Sequence, residues 1–179
     1  MRLLRTIRLD PSDTFVFERA ADPGEWTVSG AFMFADADLG ALAGKSRAAF
    51  RGGFLGVASL GWSTLVQVVE ATQEDRDRLV DTLGRQLHER LGAPDLAAAR
   101  AAAEEEVAFA ASLCDHPRDT LVAVRRTFED GAIREAFRTL HPRGTRKPMR
   151  AFSFVEVESE EEPRGDMNLL ALAKEKRND

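Results

Sequence analysis

Three basic side chains, Lys45, Arg47 and Arg51, lie close to the pair Gly52-Gly53. Ammonium and guanidinium groups that converge in space form strong, charge-assisted hydrogen bonds to carboxylates and phosphates. Trp62 could supply an apolar wall to such a site, since large aromatic side chains carry most of the packing area of a pocket. The same residues also suit a helix with a solvent-facing basic side that ends at glycine. One hypothesis is therefore a small-molecule (anionic ligand) binding protein or enzyme that uses Lys45, Arg47, Arg51 and Trp62.

The segment 56–63 has the glycine spacing of a phosphate-binding loop, with Gly56 and Gly61 at the two glycine positions. Such a loop needs a lysine after the second glycine and a helix that follows it, so that backbone amides face the phosphates. Trp62 stands at the lysine position, and the segment leads into an apolar, β-branched run. A turn with close backbone packing is the favoured interpretation.

Cys114 and His116 bring a thiol and an imidazole close together in the chain. A metal site needs three or four ligands, and a nucleophilic cysteine needs an aligned base, so neither is indicated. Cys114 is the only cysteine, which excludes an intramolecular disulfide and a C-x-x-C site. We expect a buried cysteine at a helix end, no metal, no cofactor and no catalytic residue, and hence a protein that is more a binder than an enzyme.

The C-terminal part carries the densest basic cluster of the chain, followed by an acidic run within 156–162. The two could simply neutralise each other at the surface, where ion pairs stabilise little. They could also dock an acidic partner, an anionic ligand or RNA, the last through the basic loop 143–150. The candidate partner-binding residues of this cluster are Arg143, Arg146, Lys147 and Arg150.

A second candidate partner-binding segment is the short apolar stretch beyond the acidic run. It lies in 163–179, which we expect to be a flexible charged tail because it is too short for a stable isolated helix. Its apolar residues are Met167, Leu169, Leu170 and Leu172. The leading hypothesis is a non-catalytic accessory or protein-binding protein, and exposed strand edges could also pair two copies into a homodimer.

The first half of the chain reads mainly as extended structure. Phe15, Val16 and Phe17 favour strands, and Asp22-Pro23-Gly24-Glu25 favours a turn. The run from Trp62 to Val69 is almost wholly apolar and suits the central strand of a sheet. The predicted elements are strands at 2–9 and 13–20, a hairpin of 26–28 with 32–34, a helix at 38–50 and a strand at 62–69.

Two helices follow. Thr72 can cap the first, with Asp75 at its third position, and leucines then recur every four residues until Gly92. Pro94 starts an alanine-rich second helix. We predict helices at 72–91 and 94–114 that form an antiparallel pair.

Asp130-Gly131 predicts a two-residue hairpin turn, because both residues tolerate positive φ. Counting outward from it pairs Phe128 with Ile133, Arg126 with Glu135 and Val124 with Phe137 on one face. That face should belong to the core and contain the ion pair. A last strand is predicted at 151–157.

The composition sets the frame for these elements. Hydrophobic residues make up 44% and charged residues 31%, as in ordinary globular proteins. The net charge of −5 disfavours broad nucleic-acid binding, and neither a signal peptide nor a membrane-spanning run is visible. We expect one α+β domain over 1–162, with a mostly antiparallel sheet of six or seven strands and an antiparallel helix pair on one face, located in the cytoplasm.

Residues 5–32, RTIRLDPSDTFVFERAADPGEWTVSGAF, and 50–66, FRGGFLGVASLGWSTLV, resemble a family of small proteobacterial proteins classed as a domain of unknown function. The resemblance implies a bacterial cytoplasmic protein. It assigns no activity, cofactor or catalytic residue.

Overall fold

The computed structural model describes residues 1–140. The elements of this part are two antiparallel β-sheets and four α-helices, which confirms the predicted α+β class. The seven strands are β1 (Arg2–Thr6), β2 (Thr27–Val28), β3 (Phe54–Gly56), β4 (Trp62–Ser63), β5 (Leu65–Glu70), β6 (Leu121–Glu129) and β7 (Ala132–Leu140). The α-helices are α1 (Ser12–Val16), α2 (Gly44–Gly52), α3 (Gln73–Arg90) and α4 (Leu96–Ser112), and a 3-10 helix spans Ala31–Phe34.

The larger sheet has the strand order β1-β5-β6-β7, and the smaller has the order β2-β3-β4. One face of the larger sheet is apolar, because paired residues of antiparallel strands lie on the same face. Leu4 pairs with Val68, and Val66 pairs with Val122. These four residues and Val124 are almost fully buried. We call this the inner face, since it forms the centre of the core.

The apolar run 62–69, predicted as one strand, divides between the two sheets. Trp62 pairs with Leu55 in the smaller sheet, whereas β5 lies between β1 and β6 in the larger one. The chain changes sheet at Thr64, whose amide and hydroxyl both donate to the buried carboxylate of Asp13, at 3.2 and 2.6 Å. The prediction of an interior strand is right for β5.

The strand predicted at 13–20 is wrong, because the chain forms the short helix α1 there. Local hydrogen bonds favour the helix: the Asp10 carboxylate accepts from the Ser12 amide at 2.7 Å, and the Thr14 hydroxyl donates to the Pro11 carbonyl at 2.6 Å. Phe17 is buried, while Phe15 is 73% exposed. A β-prone triplet is thus split between core and solvent.

The predicted hairpin of 26–28 with 32–34 is also wrong. β2 does form at Thr27–Val28, but it pairs with β3, and Phe32–Phe34 belong to the 3-10 helix. Gly30 turns the chain with φ +81°, and a Cβ there would lie 2.5 Å from that of Leu55. The position accordingly needs glycine.

The helix pair follows the prediction closely. Thr72 and Asp75 form a capping box at the start of α3. Arg100 of α4 forms an ion pair with Asp81 of α3, and His88 near the end of α3 contacts the Ala93 carbonyl just before α4, so the helices run antiparallel. On α4 the ring of Phe109 lies 5.8 Å from that of Phe137 on the inner face of the sheet.

The helix predicted at 38–50 begins later, at Gly44, because Asp38 instead caps a turn by accepting from the Gly40 amide at 3.1 Å. The hairpin of β6 and β7 has the predicted register, including Arg126 opposite Glu135. Asp130 and Gly131 both have positive φ, as the predicted turn requires.

Candidate functional site

A cleft of about 260 Å³ opens beside the smaller sheet. It is assembled from four separate parts of the chain: the segment after α1, the 3-10 helix, α2 and β4. We call it the Trp62 cleft. Its lining residues are Glu18, Arg19, Met33, Phe34, Lys45, Ser46, Ala49 and Trp62.

The aromatic wall of the cleft is held by tight packing. The rings of Phe34 and Trp62 stack at 5.2 Å, and Phe50 contacts Phe34 edge-on at 5.3 Å. Phe34 and Trp62 are only 7% and 9% exposed. A Cβ at position 53 would lie 2.8 Å from the Trp62 ring, so Gly53 allows the indole to lie close to the backbone. The wall is therefore preorganised.

The rim of the cleft is charged. Arg19 and Lys45 supply two positive charges, and Glu18 supplies one negative charge; all three side chains are exposed. Ser46 adds a hydroxyl group. A net positive rim beside an apolar wall suits a small anion that carries an apolar group.

The structure brings together two of the four ligand-binding residues that the sequence indicated. Lys45 and Trp62 both line the cleft. Arg47 and Arg51 are exposed and do not line it, and the Arg47 Nε donates to the Leu42 carbonyl at 2.7 Å. Sequence reasoning missed Arg19, Glu18 and Phe34, because no residue pattern links these segments to α2. Ligand binding by the four residues stays a prediction.

The turn with phosphate-loop glycine spacing is filled by a carboxylate of the chain itself. Glu25 accepts from the amides of Ala58 and Ser59, each at 2.9 Å, and from the Asp22 amide at 2.7 Å. A Cβ at Gly56 would lie 2.4 Å from this carboxylate, and one at Gly61 would lie 2.5 Å from the Ala20 carbonyl. Close packing thus accounts for the two glycines.

A buried arginine joins the two sheets. Arg126 of β6 donates from Nε to Glu135 at 2.7 Å and from Nη1 to the carbonyls of Phe50 and Gly53, at 3.1 and 2.7 Å. Its Nη2 donates to the carbonyl of Ser29 and, at 3.1 Å, to the Ser29 hydroxyl, which in turn donates to Glu135. The Arg126 side chain is 0% exposed. Burial lowers the pKa of Arg126, and the charge of Glu135 opposes that shift.

Glu106 on α4 is partly buried beside this ion pair. Burial and, to a lesser extent, the negative charge of Glu135 raise the pKa of Glu106 to about 7, against the opposing effect of the positive charge of Arg126. The five N–H groups of Arg126 already have acceptors in Glu135, Ser29, Phe50 and Gly53, so none is left to donate to the carboxylate of Glu106. The carboxyl group of Glu106 is consequently neutral over part of the physiological pH range.

Cys114 is buried at the end of α4, with its Sγ 3.5 Å from the Ala110 carbonyl. Burial raises the pKa of its thiol to about 11. A thiol in this state is a poor nucleophile. Within residues 1–140, no group of three or more His, Cys, Asp or Glu side chains could hold a metal ion.

The sequence matches one protein-family model. The model of a family of unknown function, DUF6505, matches residues 1–157. The chain belongs to this family. No curated protein and no solved structure matches this DUF6505 protein significantly. None of the helices within residues 1–140 is long and apolar enough to cross a membrane.

Several predictions fall outside the described residues of this DUF6505 protein. They concern the strand at 151–157, the tail 163–179 and the candidate partner-binding residues. Those residues are Arg143, Arg146, Lys147, Arg150, Met167, Leu169, Leu170 and Leu172. They stay predictions, as does RNA binding through 143–150.

Proposed function

We propose that this DUF6505 protein is a non-catalytic binding protein whose Trp62 cleft takes a small organic monoanion with an apolar, planar group. One observation carries the proposal: Lys45 and Arg19 line the same cleft as the stacked Phe34–Trp62 pair. The two cations would bind the charged end of such an anion, and the preorganised aromatic wall would bind its apolar end.

The size and charge of the cleft support a small ligand. A volume of about 260 Å³ lies just below the usual range of small-molecule sites, which starts at about 300 Å³. Glu18 offsets one of the two positive charges of Arg19 and Lys45 at the rim. A monoanion with a single ring therefore fits better than a nucleotide or another polyanion.

The chemistry of the lining supports binding rather than catalysis. Within residues 1–140, the residues that line the cleft include no histidine and no cysteine, the residue types that most often serve as bases and nucleophiles. The thiol of Cys114 is buried, and its raised pKa keeps it protonated, so it is a poor nucleophile. We infer an accessory protein that holds or senses its ligand.

We further propose that the protein acts in the bacterial cytoplasm. The resemblance of residues 5–32 and 50–66 to proteobacterial proteins supports this location, and a single, free cysteine is usual in a reducing compartment. Fractionation of cells that express a tagged full-length chain would test it. Recovery of the protein outside the cytoplasmic fraction would contradict it.

The ligand proposal can be tested by titrating the full-length, ¹⁵N-labelled protein with benzoate, phenylacetate and hexanoate, with benzamide as the neutral control. We expect benzoate or phenylacetate to shift the Trp62 indole and Ala49 amide signals, and hexanoate, which has no ring, to bind more weakly. Benzamide should bind about tenfold more weakly, because a charge-assisted hydrogen bond contributes about 1.5 kcal/mol or more.

Variants of α2 provide a matched control. Lys45→Ala should weaken binding of the anion about tenfold, whereas Arg51→Ala removes the same charge from the same helix outside the cleft and should have no effect. Equal losses in both variants, or no shift at Trp62 with either benzoate or phenylacetate at about 10 mM, would overturn the proposal.

A further inference from the structure

The polar side chains at the rim of the Trp62 cleft are left free by the protein itself. Within residues 1–140, the charged groups of Glu18, Arg19 and Lys45 take part in no ion pair and no side-chain hydrogen bond, and the Ser46 hydroxyl has no partner either. By contrast, the exposed Arg100 on α4 has two ion pairs. The rim therefore offers one carboxylate, two cations and one hydroxyl to a ligand.

The backbone that carries Glu18 and Arg19 is fixed to the aromatic wall. The Trp62 amide donates to the Arg19 carbonyl at 2.9 Å, and the Ala21 amide donates to the Trp62 carbonyl at 2.9 Å. The carboxylate of Glu18 thus belongs to a segment that is hydrogen-bonded to the residue whose ring forms the wall. A ligand ring against that wall lies in the same cleft as this carboxylate.

The other polar groups of the rim come from the first turn of α2. Lys45 and Ser46 lie there, and Phe50 of the same helix contacts Phe34 of the wall edge-on. Both segments of the rim are therefore anchored to the aromatic cluster. A ligand that enters the cleft meets cations and a carboxylate whose backbones are held in place.

The charges of the rim define the polar groups of the ligand. Two cations and one carboxylate leave one net positive charge, which a ligand with a single carboxylate neutralises. Lys45 and Arg19 attract that carboxylate, whereas Glu18 repels it. A carboxylate accepts hydrogen bonds and donates none, so Glu18 favours a ligand with a hydrogen-bond donor. A neutral donor fits better than an ammonium group, which would leave the positive charge of the rim without compensation.

We propose that Glu18 determines the specificity of the Trp62 cleft and selects hydroxylated aromatic carboxylates, whose ring hydroxyl donates to the Glu18 carboxylate. The inference rests on the proposed function, because it requires an aromatic monoanion in the cleft. A phenolic hydroxyl such as that of tyrosine has a pKa of about 10, so it keeps its proton at neutral pH and can donate. Hydrogen bonds to a charged acceptor are stronger than those between neutral groups.

The test compares benzoate and phenylacetate with their 3- and 4-hydroxy derivatives, by titration of the full-length, ¹⁵N-labelled protein. At least one hydroxy derivative should bind about fivefold more tightly than its parent. The matching methoxy derivative, which has no donor, should show no such gain. L-Phenylalanine, a zwitterion, should bind more weakly than the preferred hydroxy acid, and tighter binding of it would overturn the proposal in favour of an amino acid.

Two variants locate the effect. Glu18→Ala should abolish the gain from the hydroxyl group and should also tighten binding of the unsubstituted parents about twofold, because it removes a repelling charge. These opposite changes distinguish specificity from a general loss of structure. Asp36→Ala is the control, since Asp36 is exposed and does not line the cleft, and it should leave both affinities unchanged.

The outcomes separate this inference from the function on which it rests. If benzoate or phenylacetate binds but no hydroxy derivative binds more tightly, the inference fails and the proposed function stands. A gain that persists in Glu18→Ala, or that the methoxy derivative shares, would also overturn the role of Glu18. If none of these aromatic anions shifts the Trp62 indole signal, both proposals fail.

Discussion

At the scale of single residues, Arg126 shows how the core tolerates a charge. An arginine has five N–H donors, and each donor of Arg126 has an acceptor in Glu135, Ser29, Phe50 or Gly53. Desolvating a guanidinium is costly, and these contacts offset that cost only as a complete set. Removal of one partner would leave a buried charge without compensation.

Glu135→Gln should therefore destabilise the protein strongly. We expect a loss of about 3 kcal/mol in the free energy of unfolding, because breaking a buried ion pair from one side costs about 3–5 kcal/mol and Glu135 keeps slight exposure. Urea denaturation measures the loss. Glu129→Gln removes an exposed carboxylate from the same hairpin and should change the stability by less than about 0.5 kcal/mol. Similar losses in the two variants would contradict this account.

The raised pKa of Glu106 predicts that the stability of the protein depends on pH. Its pKa is about 7 in the folded protein, against a usual value of 4.5, so the folded state binds the proton more tightly than the unfolded state. The stability contributed by this group is present below about pH 4.5 and is lost as the pH rises to about 7. The groups that face it are Glu135 and Arg126 on the sheet and Glu105 on its own helix.

Urea midpoints measured across this pH range would test the linkage. Glu106→Gln should remove the decline in stability between about pH 4.5 and 7, whereas Glu105→Gln, at the exposed neighbouring position, should retain it. An unchanged slope in Glu106→Gln would show that another group titrates.

At the scale of elements, the β6–β7 hairpin depends on its turn. Gly131 has φ +76°, a conformation that a residue with a Cβ adopts only with strain. Gly131→Ala should cost about 1 kcal/mol in thermal or urea unfolding. Gly52→Ala is the control, because Gly52 has no positive φ and a Cβ there would have only ordinary contacts. A neutral Gly131→Ala would contradict the assigned turn.

The elements that were predictable are those that local chemistry determines. The capping box of Thr72 and Asp75, the leucine spacing of α3 and the Asp130-Gly131 turn each act within a few residues. The error at 13–20 has a different cause. Phe15, Val16 and Phe17 favour a strand by residue type, but Asp10 and Thr14 form local hydrogen bonds that close a helical turn.

The candidate site was predictable only in part, because its contacts are distant in sequence. Lys45 and Trp62 were indicated by their residue types, and Arg126 with Glu135 by counting from the turn. Ser29, Phe50 and Gly53 hold Arg126 through backbone carbonyls, which every residue type possesses. Such acceptors leave no signal in a sequence.

At the scale of the whole molecule, the end of the domain is a prediction from the sequence alone. The match reaches residue 157, and the sequence predicts a boundary at 162. A chain of residues 1–162 should therefore unfold at the same temperature as the full chain, as measured by circular dichroism. A chain that ends at Leu140 lacks part of the matched region and should be less stable. Equal instability of both truncated chains would contradict the boundary.

The position of Arg126 between the sheets has a further consequence. Its acceptors include Ser29 next to β2 and the carbonyls of Phe50 and Gly53 before β3. If the smaller sheet separated from the larger one, the guanidinium group would lose these acceptors. Local opening of the smaller sheet alone is thereby suppressed, and both sheets should form one cooperative unit in native-state hydrogen exchange. Trp62 lies in β4 of the smaller sheet, so the wall of the Trp62 cleft belongs to that unit. Its amides should therefore exchange as slowly as those of the rest of the unit.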